Sequence, residues 1–128
     1  PFAPSCKKEV ATEYFDLHQD SPYMNIVARV RPDKQKIIPA VTHTDGTARV
    51  HTVDRDTNPL FWKLINAFEK KTGIGVLLNT SFNIQEPIVE NPSQAIDCFL
   101  RSSVDILAIG PYLCDSEWRK KVTRISNE

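Results

Sequence analysis

The strongest constraint on the fold is a helix signal that runs directly into a strand signal over residues 58–78. Asn58 suits the N-cap of a helix, and Pro59 suits the first helical position, where its missing N–H group is not needed. An apolar stripe follows at helical spacing, formed by Phe61, Leu64, Ile65 and Phe68. Gly73 suits the C-cap, and apolar residues 74–78 follow as a strand. A helix followed at once by a strand predicts a sheet with helices packed on it.

The rest of the chain adds further helix and strand signals of the same kinds. In chain order, these are an amphipathic helix over Ser5–Phe15, a strand over Tyr23–Val30, a helix beginning at Asn91-Pro92, a strand over Val104–Ile109, a short strand at Tyr112–Leu113, and a helix or frayed tail from Ser116. The predicted fold class is therefore α/β (α+β), with a mixed twisted β-sheet and flanking helices. We expect residues 1–128 to form a single domain, because no linker or repeat divides them.

A β-hairpin is predicted around Asp45-Gly46, between residues 37–43 and 47–53. A two-residue turn there places Thr42 opposite Arg49, on the polar side of the ribbon. A shift of one residue in this register would move every side chain to the other face.

Two polar segments, Thr42–Arg49 and Asn79–Asn83, adjoin predicted strands. A strand that ends in Asn, Thr and Ser presents hydroxyls, amides and backbone N–H groups at a sheet edge, where α/β proteins bind anions. Arg49 adds a guanidinium group that can bind such an anion through two hydrogen bonds. The pattern leaves two interpretations open, an anion site or an exposed arginine near turn-capping hydroxyls and amides. The second segment contributes three candidates: Thr80, Ser81 and Asn83.

The cysteines and histidines do not have the spacing of a metal site. His43 and His51 fall on opposite sides of the predicted hairpin, and the three cysteines are far apart in the sequence. We expect His51 to assist at a polar site and His43 to pack half-buried. We predict no protein metal site and no disulfide, and a reducing cytoplasmic location.

The charge balance restricts the classes of partner. Sixteen basic residues offset sixteen acidic ones, so no overall field attracts nucleic acid or an anionic membrane. No apolar run is long enough to cross a bilayer. Because residue 1 is proline and Met24 is the only methionine, we expect the chain to be a fragment of a longer protein.

Several stretches resemble the C-terminal domain of the O-carbamoyltransferases of the nodulation-protein and antibiotic-biosynthesis type. They occur in the family's order and cover nearly the whole chain, with THTDGTARV and LLNTSFN the most specific. The stretches are PFAPS (1–5), SPYM (21–24), VARVRPDK (27–34), IPAVTHTDGTARVHTV (38–53), FEKKTG (68–73), LLNTSFN (77–83), EPIV (86–89) and the strand that ends in Gly110.

The resemblance implies a YrdC-like fold that follows a larger N-terminal domain of the sugar-kinase type in the same polypeptide. It implies that the present domain takes carbamoyl phosphate and ATP with Mg²⁺ and forms carbamoyladenylate. An iron ion is expected only in the N-terminal domain, which then transfers the carbamoyl group to a hydroxyl of a sugar, nodulation factor or antibiotic. Arg49 and Ser81 are the catalytic and phosphate-binding candidates, and Thr80, Asn83 and His43 are further phosphate or nucleotide contacts.

Two other classes of function stay open at this point. YrdC-like folds include proteins associated with RNA, although zero net charge argues against a nucleic-acid-binding module. A docking domain with a degenerate, non-catalytic site is the other alternative. Ligand affinity distinguishes the enzyme from both.

Overall fold

The computed structural model describes residues 2–125 and divides into two compact units, Pro1–Thr80 and Ser81–Glu128. The first unit contains β1 (Ala3–Lys7), α1 (Ala11–Tyr14), β2 (Phe15–Asp16), β3 (Ile26–Val30), β4 (Thr47–Val53), α2 (Pro59–Thr72) and β5 (Val76–Asn79), with 3₁₀ turns at Lys8–Val10 and Pro39–Val41. The second contains α3 (Pro92–Arg101), β6 (Leu107–Ile109), β7 (Tyr112–Cys114) and α4 (Ser116–Ile125). Of the two alternatives left open from Ser116, a helix or a frayed tail, the structure shows the helix to residue 125, and the residues after it lie outside the described part.

The first unit is built on a five-stranded sheet with the order β2-β3-β4-β1-β5. Only β1 and β4 run parallel, with Ser5 opposite His51, and the other neighbours are antiparallel. Helix α2 lies against β1, held in part by bonds between Lys7 and the side chains of Asn66 and Glu69. The predicted mixed sheet with flanking helices is therefore confirmed.

The two faces of strand β4 differ, because one faces the hydrophobic core and the other does not. Ala48 and Val50 point into the core, whereas Arg49 and His51 point to the other face. The core on the first face is a cluster of twelve buried residues: Cys6, Ala11, Tyr14, Phe15, Leu17, Ala28, Val30, Ile38, Val41, Ala48, Val50 and Val76. The alternation predicted within residues 47–53 thus places Arg49 and His51 on one side, as expected.

Helix α2 begins and ends as predicted. The Asn58 side chain accepts a hydrogen bond from the backbone N–H of Phe61 at 3.3 Å, and Gly73 adopts the left-handed conformation with φ of 75°. The predicted apolar stripe is only partly buried, because Ile65 is fully enclosed while Leu64 is 57% exposed.

The predicted helix over Ser5–Phe15 is wrong. Residues 3–7 form β1 instead, followed by a 3₁₀ turn and a four-residue helix, α1. All five residues of β1 are buried, because the strand lies between β4 and β5. A strand buried on both faces carries no polar alternation, so periodicity does not distinguish it from a buried helix.

The predicted hairpin is also wrong, because residues 37–43 form no strand. Pro39 begins a 3₁₀ turn there, and proline cannot donate a ladder hydrogen bond. The turn itself exists, but the backbone N–H of His43 donates to the carbonyl of Thr47 at 2.8 Å. Three residues lie between these two, so the predicted register with a two-residue turn is wrong. Thr42, expected opposite Arg49, instead donates its hydroxyl to the Ile38 carbonyl.

The second unit has its own small core, formed by Ala95, Phe99, Leu107 and Cys114. Helix α3 begins as predicted, since Asn91 accepts from the backbone N–H of Gln94 at 3.0 Å. The predicted strand over 104–109 is shorter than expected, and β6 pairs with the predicted strand β7. None of the helices within residues 2–125 is both long and apolar enough to cross a membrane.

Candidate functional site

Arg49 lies on the face of β4 that points away from the core. Its register partner on β3 is Val27, whose side chain is 59% exposed, so this part of the sheet is open to solvent. Among residues 2–125, no group forms a hydrogen bond or ion pair with the Arg49 side chain. An exposed guanidinium without an internal partner is free to bind an anionic ligand through two hydrogen bonds.

His51 lies two residues further along β4, on the same face, and is half-buried. Its Nδ1 atom lies 2.8 Å from Ser5 Oγ and 3.2 Å from Asn79 Nδ2. Its ring stacks on Phe61 of α2, with 6.0 Å between ring centroids. Burial lowers the pKa of His51 below its ordinary value of 6.5, and a backbone hydrogen bond at Pro22 opposes this only in part. The imidazole is therefore neutral near pH 7.

Thr80 and Ser81 directly follow β5. Thr80 is the last residue of the first unit, and Ser81 is the first residue of the second. Both are exposed, and neither hydroxyl has a hydrogen-bond partner within the part of the chain that the structure describes. Each hydroxyl can therefore donate to an external acceptor.

Asn83, in the second unit, uses its amide within its own loop. Its Nδ2 group donates to the backbone carbonyl of Glu86 at 2.8 Å. The Glu86 carboxylate accepts from the Gln85 backbone N–H at 3.0 Å and from Arg101 at 2.9 Å. Its own backbone N–H, that of Gln85 and then Arg101 lower the pKa of Glu86 to about 2. Glu86 and Asn83 thus close the loop in this structure.

His43 lies in the turn before β4, where its Nδ1 atom is 3.4 Å from the Thr47 hydroxyl. Asp45 accepts from both the hydroxyl and the backbone N–H of Thr47, at 2.7 and 3.0 Å, and these bonds lower its pKa. Gly46 completes the turn with φ of 78°. These bonds fix the point at which β4 begins, and hence where Arg49 lies along the strand.

Two polar residues that contact His51 were missed by the sequence analysis. Ser5, the first residue of the helix predicted over Ser5–Phe15, is fully buried on β1, and Asn79 is the last residue of β5. Both contact His51 through strand pairings between distant parts of the chain. The position of Asn79 at the head of the NTSFN segment was the one sequence signal that pointed to it.

A protein-held metal ion does not fit the candidate residues. No group of three or more His, Cys, Asp or Glu side chains that could bind a metal occurs within residues 2–125. The groups near Arg49 are donors, an imidazole and an amide, whereas Mg²⁺ prefers carboxylate oxygens.

Comparison with known proteins gives a consistent family. The model of the family described as carbamoyltransferase C-terminus matches residues 1–116. Nodulation protein NolO of Bradyrhizobium diazoefficiens is 51% identical over 117 residues, which cover 88% of this chain and 21% of that protein. The 3'-hydroxymethylcephem-O-carbamoyltransferase of Amycolatopsis lactamdurans is 43% identical over 83 residues, covering 65% of this chain and 16% of that protein. The chain thus spans about a fifth of the length of such relatives.

Proposed function

The chain belongs to the carbamoyltransferase C-terminus family, and we propose that it binds carbamoyl phosphate and ATP and forms carbamoyladenylate within an O-carbamoyltransferase. In this proposal, carbamoyl phosphate, ATP and water yield carbamoyladenylate, phosphate and pyrophosphate. A preceding N-terminal domain of the same polypeptide then transfers the carbamoyl group to a hydroxyl acceptor. The acceptor in this proposal is a sugar, a nodulation factor or an antibiotic, and the name of one relative, a 3'-hydroxymethylcephem-O-carbamoyltransferase, supports a hydroxyl of the last kind.

The unpaired guanidinium of Arg49 is the observation that carries this proposal. Both substrates are phosphate anions, and bringing them together requires their charge to be neutralised by groups that are already in place. Arg49 is exposed, has no partner among residues 2–125 and stands on a sheet strand, which fixes its backbone. It therefore binds phosphate oxygens without first breaking an internal ion pair.

The exposed hydroxyls of Thr80 and Ser81 supply neutral donors at the end of β5. Hydrogen bonds from hydroxyls stabilise a phosphate without adding a second full charge that would slow product release. Asn83 and His43 remain proposed nucleotide contacts, although each also makes a bond within its own loop. Mg²⁺ accompanies ATP on its phosphates, and iron belongs to the N-terminal domain in this proposal.

Calorimetric titration of carbamoyl phosphate and then ATP tests the proposal directly, with Arg49→Ala beside the wild type. Loss of a charged hydrogen bond predicts an affinity lower by about 10- to 100-fold. Lys63→Ala is the matched control, since it removes one exposed positive charge from α2. Equal affinity in Arg49→Ala and the wild type would refute the role of Arg49.

Turnover is tested by ³¹P NMR of the chain with both substrates and Mg²⁺. We expect pyrophosphate to appear only when carbamoyl phosphate is present, and Ser81→Ala to slow its release. A low-salt gel shift with labelled tRNA separates the enzyme from an RNA-binding module. Tight tRNA binding without affinity for carbamoyl phosphate would replace the proposal.

A further inference from the structure

A polar network joins three strands beneath the face that carries Arg49. His51 on β4, Ser5 on β1 and Asn79 on β5 meet at the Nδ1 atom of the imidazole, at 2.8 Å and 3.2 Å. The strand order β4-β1-β5 makes this a single row of contacts across adjacent strands. None of the candidate phosphate contacts carried over from the family motifs belongs to this row.

The donors around His51 fix its protonation state. The Asn79 Nδ2 group can only donate, so the Nδ1 atom of His51 must accept and carries no proton. The remaining ring nitrogen, Nε2, then carries the single proton of the neutral ring. In a neutral Nε2–H imidazole, Nδ1 shares its one lone pair between the Ser5 hydroxyl and the Asn79 amide, whereas a proton on Nδ1 would face the Asn79 donor.

The network is partly buried, and the strands that carry its two outer residues also carry, or lead directly to, candidate site residues. Ser5 is 0% exposed, so it does not meet a ligand, and the stacked ring of Phe61 holds the imidazole from the α2 side. Arg49 lies two residues from His51 on the same face, and Thr80 directly follows Asn79. The row of contacts therefore connects the strand that bears the guanidinium to the strand that leads to the hydroxyls.

We propose that His51 is a positioning residue for the phosphate site, which holds the strands of Arg49 and Asn79 in one fixed arrangement through its Nδ1 acceptor. The proposal rests on the proposed phosphate-binding function. Groups that act on an anion from a rigid arrangement bind it more strongly, because less motion is lost on binding. Neutral His51 thus supports the site, and protonated His51 loosens it.

Charged and titratable groups near His51 come from several elements and bear on its titration. They are Arg49 on its own strand, Lys7 on β1 with its partner Glu69 on α2, and Lys8, Asp20, Tyr23 and Asp54, which line a cleft of about 430 Å³ beside the imidazole. Lys8 pairs with Asp20 at 2.7 Å and with Asp54 at 3.4 Å. The carboxylates of the cleft are thus already paired with a cation.

Two variants of the 128-residue chain test the role, with carbamoyl phosphate as the probe. His51→Leu keeps the packing against Phe61 but removes the acceptor. We expect carbamoyl phosphate to bind about three- to tenfold more weakly, which corresponds to the net contribution of one ordinary hydrogen bond. His51→Asn places an amide oxygen near the position of Nδ1, and we expect affinity within about twofold of the wild type. Thermal melts confirm that both variants are folded at the titration temperature.

The pH dependence gives a readout that a merely structural role would not change. Wild-type affinity should fall relative to His51→Asn as the pH drops below about 6.5, because only the wild type gains a proton at this position. The ratio of the two affinities cancels the titration of the ligand itself. Long-range ¹H–¹⁵N NMR should show the Nε2–H form of His51 near pH 7.5.

Each outcome separates this role from the proposed function. If the wild type binds and Arg49→Ala does not, but His51→Leu binds like the wild type, only the positioning role is refuted. Parallel pH profiles for the wild type and His51→Asn, or an Nδ1–H imidazole, refute it as well. If the wild type binds no carbamoyl phosphate, the proposed function fails on this chain, and the positioning role fails with it.

Discussion

The Lys7 ammonium donates to the Glu69 carboxylate at 2.6 Å and so joins β1 to α2. Lys7 is 7% exposed, and its Nζ atom also donates to Asn66 at 3.2 Å and lies 5.3 Å from the centre of the Trp62 ring. A buried ammonium is tolerated only when such partners replace its water. The pair fixes α2 on the same sheet face that carries His51 and Arg49.

We expect Glu69→Leu to lower the free energy of unfolding of the first unit by about 3 kcal/mol, because Lys7 is left buried without its carboxylate. Urea unfolding followed by Trp62 fluorescence in a Trp118→Phe background measures this. The double variant Lys7→Met, Glu69→Leu removes both charges and should recover most of the loss. If the double variant is no more stable than Glu69→Leu, an unpaired charge is not the cause.

Local signals predicted α2 and α3 well, because their capping residues lie within a few residues of each helix end, whereas the helix predicted over Ser5–Phe15 was wrong. Asn58 and Gly73 mark the ends of α2 whatever the helix packs against. Strand partners were predicted poorly, because pairing joins distant parts of the chain. The turn at Asp45-Gly46 suggested a hairpin, yet β4 pairs with β3 and with the buried strand β1.

The candidate site divides in the same way. The shared face of Arg49 and His51 was predictable, since alternation within one strand does not depend on its partner. The contact of His51 with Ser5 joins residues 46 positions apart in the sequence, so predicting it would have required knowledge of the strand order. The predicted nucleotide contacts at Thr80, Ser81, Asn83, His43 and Arg49 came from family motifs and stay predictions.

Arg49→Lys should weaken carbamoyl phosphate binding about three- to tenfold, less than Arg49→Ala. Lysine keeps the charge but loses the planar pair of N–H donors that matches two phosphate oxygens. Calorimetry at two salt concentrations tests this, and the salt dependence of Arg49→Lys should match the wild type. Affinity equal to that of the wild type would show that Arg49 acts as a point charge only.

The cysteine thiols should not react in the folded protein. Cys6, Cys98 and Cys114 are all buried, and burial followed by the nearby Glu9 raises the pKa of Cys6 to about 12. Because the thiolate is the reactive form, a disulfide reagent such as DTNB should label none of them at about pH 8 and all three in denaturant. Rapid labelling of the native protein would show that a thiol is accessible.

Glu86 should make the second unit sensitive to acid. Its folded pKa of about 2 lies below the ordinary value of 4.5, so the unfolded chain takes up the proton first as the pH falls. The stabilisation is present above pH 4.5 and is lost as the pH falls from 4.5 towards 2. We therefore expect Glu86→Gln to be less stable than the wild type above pH 4.5, with the difference vanishing in acid.

Trp118, which lies 6.4 Å from Phe99 between ring centroids, reports unfolding of this unit in a Trp62→Phe background. Asp97→Asn is the matched control, since Asp97 also bonds Arg101 at 2.9 Å. The backbone N–H groups of Glu86 and Gln85, and only then Arg101, account for the lowered pKa of Glu86, so the control should not reproduce the effect. A stability difference between wild type and Glu86→Gln that stays constant from about pH 7 to about pH 2 would show that Glu86 is not the titrating group.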